Sequence, residues 1–230
     1  MPKQELAGVQ SHLTTYGFGP RKALLVHCSL AHGAAYSKLG AAVGGALSMT
    51  SFDQPGHGRA QDWTGQGELQ DVVLDMALEL LTEPVDLIGH SFGGIIALRM
   101  AVARPEMVRT LTLIEPVMMA IAKTDNPAAV ETIKQEMAGF NEAMDRGDHE
   151  PAARLFTGTY GDGRPWESLS PEGRKAITDR IHLIRAGQSA VQLDLYDLIG
   201  SGAFEKITAP TLIIDGGTGG PMMSAVCDGL

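Results

Sequence analysis

The chain has 230 residues, of which 44% are hydrophobic and 20% charged, with a net charge of −9. That length and balance suit one sizeable soluble domain with a full core. The acidic charge argues against a nucleic-acid partner, which would need clustered Lys and Arg. The opening Met1-Pro2-Lys3-Gln4 lacks the apolar stretch of a signal peptide, and no apolar run reaches the roughly 18 residues of a membrane span. Two widely separated cysteines, Cys28 and Cys227, have no metal-type spacing. A reduced, cytoplasmic protein with no membrane partner is therefore expected.

In chain order, His12–Phe18 reads as an edge strand. Ala23–His27 and Leu47–Phe52 read as short buried strands. Leu69, Val72, Val73, Met76 and Leu80 share one face of a helix, with Asp71, Asp75 and Glu79 on a solvated opposite face. Val85–Gly89 is the next strand. The helix Gly93–Ala103 is apolar nearly all round, so it is expected to be buried on several sides, and Pro105 closes it. Thr110–Ile114 and Thr211–Ile214 read as two more strands. Strands alternating with helices predict an α/β fold with a mostly parallel sheet and helices on both faces.

From Val117 to Glu205 the alternation stops. Helical patterns cover Ala128–Met144, Pro171–Ala186 and Ala190–Leu198, with loops around Gly158, Gly161, Gly163 and Pro165. We expect a helical insertion over the sheet's carboxyl edge, where open α/β folds place ligands. The domain reading is thus a core of residues 1–116 and 206–230 and an inserted cap of residues 117–205.

The strongest chemical signal is Gly89-His90-Ser91-Phe92-Gly93. It matches G-x-S-x-G between a strand and a helix. The small residues allow a sharp, strained turn that lifts Ser91 Oγ above the sheet. The following helix turns its amide-rich N-terminus toward developing negative charge. A chance glycine-rich turn is the bland alternative; the flanking strand and helix favour the functional one.

Three further stretches complete a pattern. Leu24-Leu25-Val26-His27 precedes Cys28, Phe52-Asp53-Gln54-Pro55-Gly56-His57-Gly58-Arg59 forms a loop, and Ala209-Pro210-Thr211-Leu212-Ile213-Ile214 leads a late strand. In order and spacing, from about Ala23 to Leu230, the chain resembles the α/β-hydrolase superfamily, in its serine-nucleophile branch with a helical cap.

The resemblance implies Ser91 as nucleophile and an oxyanion hole from the backbone amides of Phe92 and Ser29. It implies an ester or related acyl compound as small-molecule substrate, attacked through an acyl-enzyme at Ser91. It requires no cofactor and no metal. Cys28 stands where the family usually has glycine, and reads as a small residue filling that place rather than a nucleophile. For the acid, Glu115 is the candidate and Asp215 the second choice. A carboxylate at Glu115 could equally brace the entry to the cap, and Asp215 could cap the glycine turn Gly216-Gly217-Thr218-Gly219-Gly220. Asp53 reads as stabilising its own loop.

The base is the difficulty, because a serine hydroxyl needs an imidazole to take its proton. The family places that histidine after the last strand, but His12, His27, His32, His57, His90, His149 and His182 all precede Thr211. No base is assigned within these residues. His90 is expected to point away from Ser91, His32 is the least implausible stand-in, and His27, His32 and His57 lack a characteristic metal spacing. The resemblance implies a further strand and a histidine loop, so the chain reads as C-terminally truncated, with turnover expected to be impaired. The alternatives are a non-catalytic ligand-binding protein on the same fold and an inactive fragment. Met118, Met119, Phe140, Met144, Phe156, Tyr160, Trp166 and Leu183 are candidate apolar pocket lining, and plain core is the alternative for each.

Overall fold

The computed structural model describes residues 3–161, 163–217 and 220–230. Seven strands are present: β1 (Lys3–Leu6), β2 (Val9–Tyr16), β3 (Arg21–Val26), β4 (Leu47–Phe52), β5 (Val85–His90), β6 (Val108–Ile114) and β7 (Thr211–Ile214). They form one sheet in the order β1-β2-β4-β3-β5-β6-β7. From β4 to β7 every pairing is parallel, while β1 and β2 pair antiparallel at one edge. The fold is a seven-stranded, mostly parallel α/β sheet.

Strand alternation decides which residue enters which layer. Along β3, Leu24 and Val26 join one core layer and Ala23 and Leu25 the other. The larger layer lies under α2 (Leu69–Glu79) and α3 (Phe92–Ala103). The smaller one is covered by α1 (Ser37–Val43), with Leu39 and Val43 against Leu25 and Met49. Helix α3 is buried from Phe92 to Ala101, as its all-round apolar sequence predicts. Its one charged residue, Arg99, is ion-paired to Asp71 at 2.6 Å and stacked 3.5 Å above the Tyr196 ring. Asp71, its side chain still about half exposed at 48%, thus also holds α2 to α3.

Between β6 and β7 the described residues are helical: α4 (Met119–Asp125), α5 (Pro127–Asp145), α6 (His149–Tyr160), α7 (Pro171–Arg180) and α8 (His182–Gln192). A final helix, α9 (Gly220–Gly229), follows β7 and packs on α4 and α5. Three expectations change here. The span read as one helix from Pro171 to Ala186 is two, broken at Ile181. The pattern read over Ala190–Leu198 ends at Gln192, because the Asp194 carboxylate takes the amides of Leu198 and Ile199 and folds that stretch into a turn. The loop expected around Gly158 is the last turn of α6. Of the glycine turn after β7, Thr218 and Gly219 lie outside the described residues.

At the amino ends of the strands, Asp86 collects three partners. Arg21 gives it two hydrogen bonds of 2.9 and 2.6 Å, Arg109 one of 3.1 Å and Thr110 one of 2.8 Å. Burial alone would raise the Asp86 carboxyl, but these donors outweigh it and hold it below the ordinary carboxylate pKa. Asp86 ties β3, β5 and β6 together. Asp86→Ala is expected to lower stability by about 1–3 kcal/mol, read as a lower urea midpoint at unchanged m-value.

Candidate active site

Strand order fixes where a site can form. From β3 the chain passes to β4 on one side and returns through β5 to the other. Loops leaving β3 and β5 therefore diverge and open a crevice between them. Three chain segments meet there: Cys28–Ala31 after β3, Ser91 after β5 and Glu115 after β6.

Ser91 sits in the one-residue corner between β5 and α3, with φ +54° and ψ −118°. Its own amide donates to Ile114 O at 2.9 Å, and its carbonyl accepts from Gly94 N at 2.8 Å. Backbone on both sides thus holds a conformation that L-residues avoid. The corner closes because β5 and α3 nearly touch. A Cβ on Gly93 would lie 2.1 Å from Val26 O, and one on Gly89 would lie 2.3 Å from Gly93 O. Two amides beside Ser91, those of Phe92 and Ser29, make no hydrogen bond among the described residues.

The loop carrying Ser29 is fixed by two buried histidines. His57 Nε2 accepts the Leu30 amide at 3.0 Å while Nδ1–H donates to Pro55 O at 2.9 Å. His27 Nε2 accepts the Gln54 amide at 3.1 Å while Nδ1–H donates to Cys28 O at 2.8 Å. Both rings must be neutral to play these parts. Burial pushes His57 down to about 4 and His27 well below its ordinary value. The rings meet edge-on at 5.3 Å between centroids. With every ring nitrogen committed to backbone, they brace the loop and do not ligate metal. Asp53 braces it too, accepting from Gly33 N at 2.7 Å and Arg59 N at 2.8 Å.

These histidines give the protein a testable acid sensitivity. His57 has a folded pKa of about 4, against an unfolded value of about 6.5. Its stabilising contribution is complete above the unfolded value and is lost as pH falls through the folded one. The linked loss is roughly 3 kcal/mol. His57→Gln, which keeps a donor and an acceptor, is expected to flatten the fall of Tm between about pH 6.5 and 4. Identical Tm–pH slopes in the two proteins would contradict this.

Ser91 opens onto a cavity of about 400 Å³. Cys28, Ser29, His90, Phe92 and Glu115 share its wall with side chains of the β6–β7 helices. Of the expected apolar lining, Met119, Phe156, Tyr160 and Leu183 are present. Met118, Phe140 and Trp166 are instead buried in the core, with Met144 packed against it. Ile133, Met137, Val191 and Met222 complete the apolar wall. They escaped the sequence because helix faces are assigned only when the helices dock. Helix α8 crosses directly over the corner: a Cβ on Gly187 would lie 3.2 Å from the Phe92 ring.

Glu115 lines the cavity, at a positive φ of 43°, and its Oε1 accepts the Gly216 amide at 3.2 Å. Asp215 is exposed and turned to local work, accepting from Gly217 N and the Ser224 hydroxyl, both at 2.8 Å. Those two hydrogen bonds hold its carboxyl below the ordinary range. The structure thus groups Glu115 with Ser91 and leaves Asp215 capping its turn. His90 also contributes to the cavity wall. Burial lowers its pKa and the nearby Glu115 charge opposes that shift. No hydrogen bond links His90, or any other histidine, to Ser91 among the described residues. Burial pushes the Cys28 thiol up to about 11, which favours its protonated, weakly nucleophilic form at neutral pH.

A family model described as the alpha/beta hydrolase family matches residues 23–229. The chain belongs to the alpha/beta hydrolase family. Among curated members it is 29% identical over 161 residues to Lipase LipV of Mycobacterium tuberculosis, covering 68% of this chain and 58% of that protein. It is 28% identical over 159 residues to pimeloyl-[acyl-carrier protein] methyl ester esterase of Methylococcus capsulatus, covering 67% and 58%. The matches thus span under three fifths of the length of these relatives. An alpha/beta hydrolase of Sphaerobacter thermophilus shares the fold with a TM-score of 0.68 at 18% identity, over 99% of this chain and 86% of that one. Among the described residues no helix is long and apolar enough to cross a membrane.

Proposed function

We propose that this protein is a serine hydrolase of esters or related acyl compounds, with Ser91 as nucleophile. One observation carries the reading: a serine held at φ +54° where β5 turns into α3, facing a cavity beside two uncommitted amides. Family membership and the similarity to a lipase and a methyl ester esterase support it.

In the proposed reaction Ser91 Oγ bonds to the substrate carbonyl carbon as its hydroxyl proton passes to solvent water, which later returns one to the leaving group. The carbonyl oxygen, now negative, takes hydrogen bonds from the Phe92 and Ser29 amides. Each such donor is typically worth about 2.7–4 kcal/mol in the transition state. The C–O bond to the leaving alcohol breaks, that oxygen takes up a proton, and water then hydrolyses the acyl-serine. The helices between β6 and β7 act as a cap whose apolar side chains receive the acyl chain. Glu115 is the acid of the site and Asp215 a structural carboxylate.

The serine proton has no imidazole acceptor among the seven histidines of these 230 residues. In this reading the attack by Ser91 is supported here by the oxyanion amides and by substrate binding. Such partial sites can retain roughly 10³–10⁴-fold over water. The test compares this protein with Ser91→Ala for hydrolysis of p-nitrophenyl butyrate and for the mass shift left by a fluorophosphonate. Serine-dependent turnover and an adduct confined to the wild type support the reading. Equal rates and no adduct overturn it, and ester binding without either would mark a non-catalytic binding protein.

A further inference from the structure

A second cavity, of about 390 Å³, lies on the other side of the loop that carries Ser29. Leu30 and Ala31 line it, whereas Cys28 and Ser29 line the first. Its remaining walls come from three separate parts of the chain: His12 and Thr14 of β2, Asp53, Gly58 and Arg59 of the loop after β4, and Arg180 at the end of α7, with His32 and Ala34 at its rim. Its size falls in the range of ligand sites, about 300–1,000 Å³.

The charges in this cavity are unusual for the protein around it. The chain carries 27 acidic and 18 basic residues. Most of its arginines are ion-paired, as Arg21, Arg99, Arg104, Arg109, Arg146 and Arg185 illustrate. Neither Arg59 nor Arg180 has a carboxylate partner among the described residues. Arg180 gives its Nε hydrogen to Gly56 O at 2.9 Å and an Nη1 hydrogen to Ala176 O at 2.8 Å. Those bonds aim the guanidinium and leave its Nη2 without a recorded acceptor. Arg59 makes one long contact, 3.5 Å from Nη1 to His12 Nε2. The single carboxylate in the wall, Asp53, already accepts two backbone amides and is 4% exposed. Two guanidinium groups, neither of them ion-paired, thus share one concave space with a single buried carboxylate.

We propose that this cavity binds a small multivalent oxyanion, a phosphate or a dicarboxylate, through Arg59 and Arg180. The guanidinium fork matches both groups in geometry, and charge-assisted hydrogen bonds are about twice as strong as neutral ones. His12 and Thr14 supply further polar contacts on the floor. Because Arg180 belongs to α7 and Arg59 to the core loop, the anion bridges the helical segment to the sheet. Because Leu30 and Ala31 directly follow Ser29 in the same loop, occupancy also stiffens the segment that presents the Ser29 amide. The proposal stands apart from the reaction at Ser91, and its test needs no turnover.

Isothermal titration with inorganic phosphate, and separately with succinate, measures the site directly. Saturable single-site binding of either anion is expected, and which one binds identifies the class. Arg59→Gln is expected to weaken it at least about tenfold, and Arg59→Gln with Arg180→Gln to abolish it. Arg59 is exposed and its backbone amide still reaches Asp53, so the single variant retains its Tm. Arg104→Gln, at an exposed ion pair elsewhere, serves as control. No binding of either anion up to about 10 mM, or an equal loss in Arg59→Gln and Arg104→Gln, would overturn the proposal.

Discussion

Gly93→Ala is expected to destabilise the protein by about 3 kcal/mol or more, well above the usual effect of one methyl group. The added carbon would sit 2.1 Å from Val26 O, 2.6 Å from Val26 C and 2.7 Å from His27 O. All three are backbone atoms at the end of β3 or one residue past it, so no side-chain rotation relieves the contact. Helix α3 would have to lift away from β3, loosening the layer that Leu24, Val26, Ile96 and Leu87 share. For a chain of this size the loss corresponds to a fall in Tm of roughly 10 °C or more. Gly45→Ala is the matched control: a Cβ there meets nothing within 4 Å, and its φ is not positive. That substitution is expected to be neutral or slightly stabilising. A Gly93→Ala protein melting within a degree or two of wild type would show that the strand and helix are not in the close contact described.

The second large effect concerns Ser91 and separates its chemistry from its strain. Ser91→Ala and Ser91→Gly both remove the hydroxyl, so both are expected to lose fluorophosphonate labelling and serine-dependent ester turnover completely. They should differ in stability. At φ +54° and ψ −118° an alanine keeps the strain of the serine, whereas glycine relieves it. Residues forced into such regions cost about 1–3 kcal/mol each. Ser91→Gly is therefore expected to melt several degrees above Ser91→Ala, and at or above wild type, while being equally inert. Equal melting of the two variants would remove strain from the account. A strained residue that gains stability when function is removed is the usual mark of a conformation kept for chemistry.

Much of this was readable from residue patterns. Leu47–Phe52 and Thr211–Ile214 have the strand bounds expected, because short apolar runs between turn residues have few alternatives. The strand before Ser91 and the helix after it were legible for the same reason. Other elements were hidden. β1, Lys3–Leu6, has three exposed residues of four and no apolar alternation, so only its pairing with β2 makes it a strand. Helix α6 contains Pro151, and also Gly158, which read as a loop residue. Pro151 falls in the first turn, where its missing N–H costs nothing. His90 was expected to face away from the serine, yet it contributes to the same cavity wall. The expected lining failed at Met118, Phe140 and Trp166 because a large apolar side chain looks alike in a pocket and in a core.

By itself the sequence determined the sheet's central strands, the corner at Ser91 and the membership of its loops in one carboxyl-end site. Those follow from local physics: hydrophobic period, turn chemistry and the steric limits of glycine. Only the tertiary structure put Glu115 in the cavity wall and Asp215 in its own turn, committed His27 and His57 to bracing, and brought Arg59 and Arg180 to one cavity. Each of those outcomes depends on which distant groups a side chain can reach, and reach is set when helices dock on the sheet, not by neighbours along the chain.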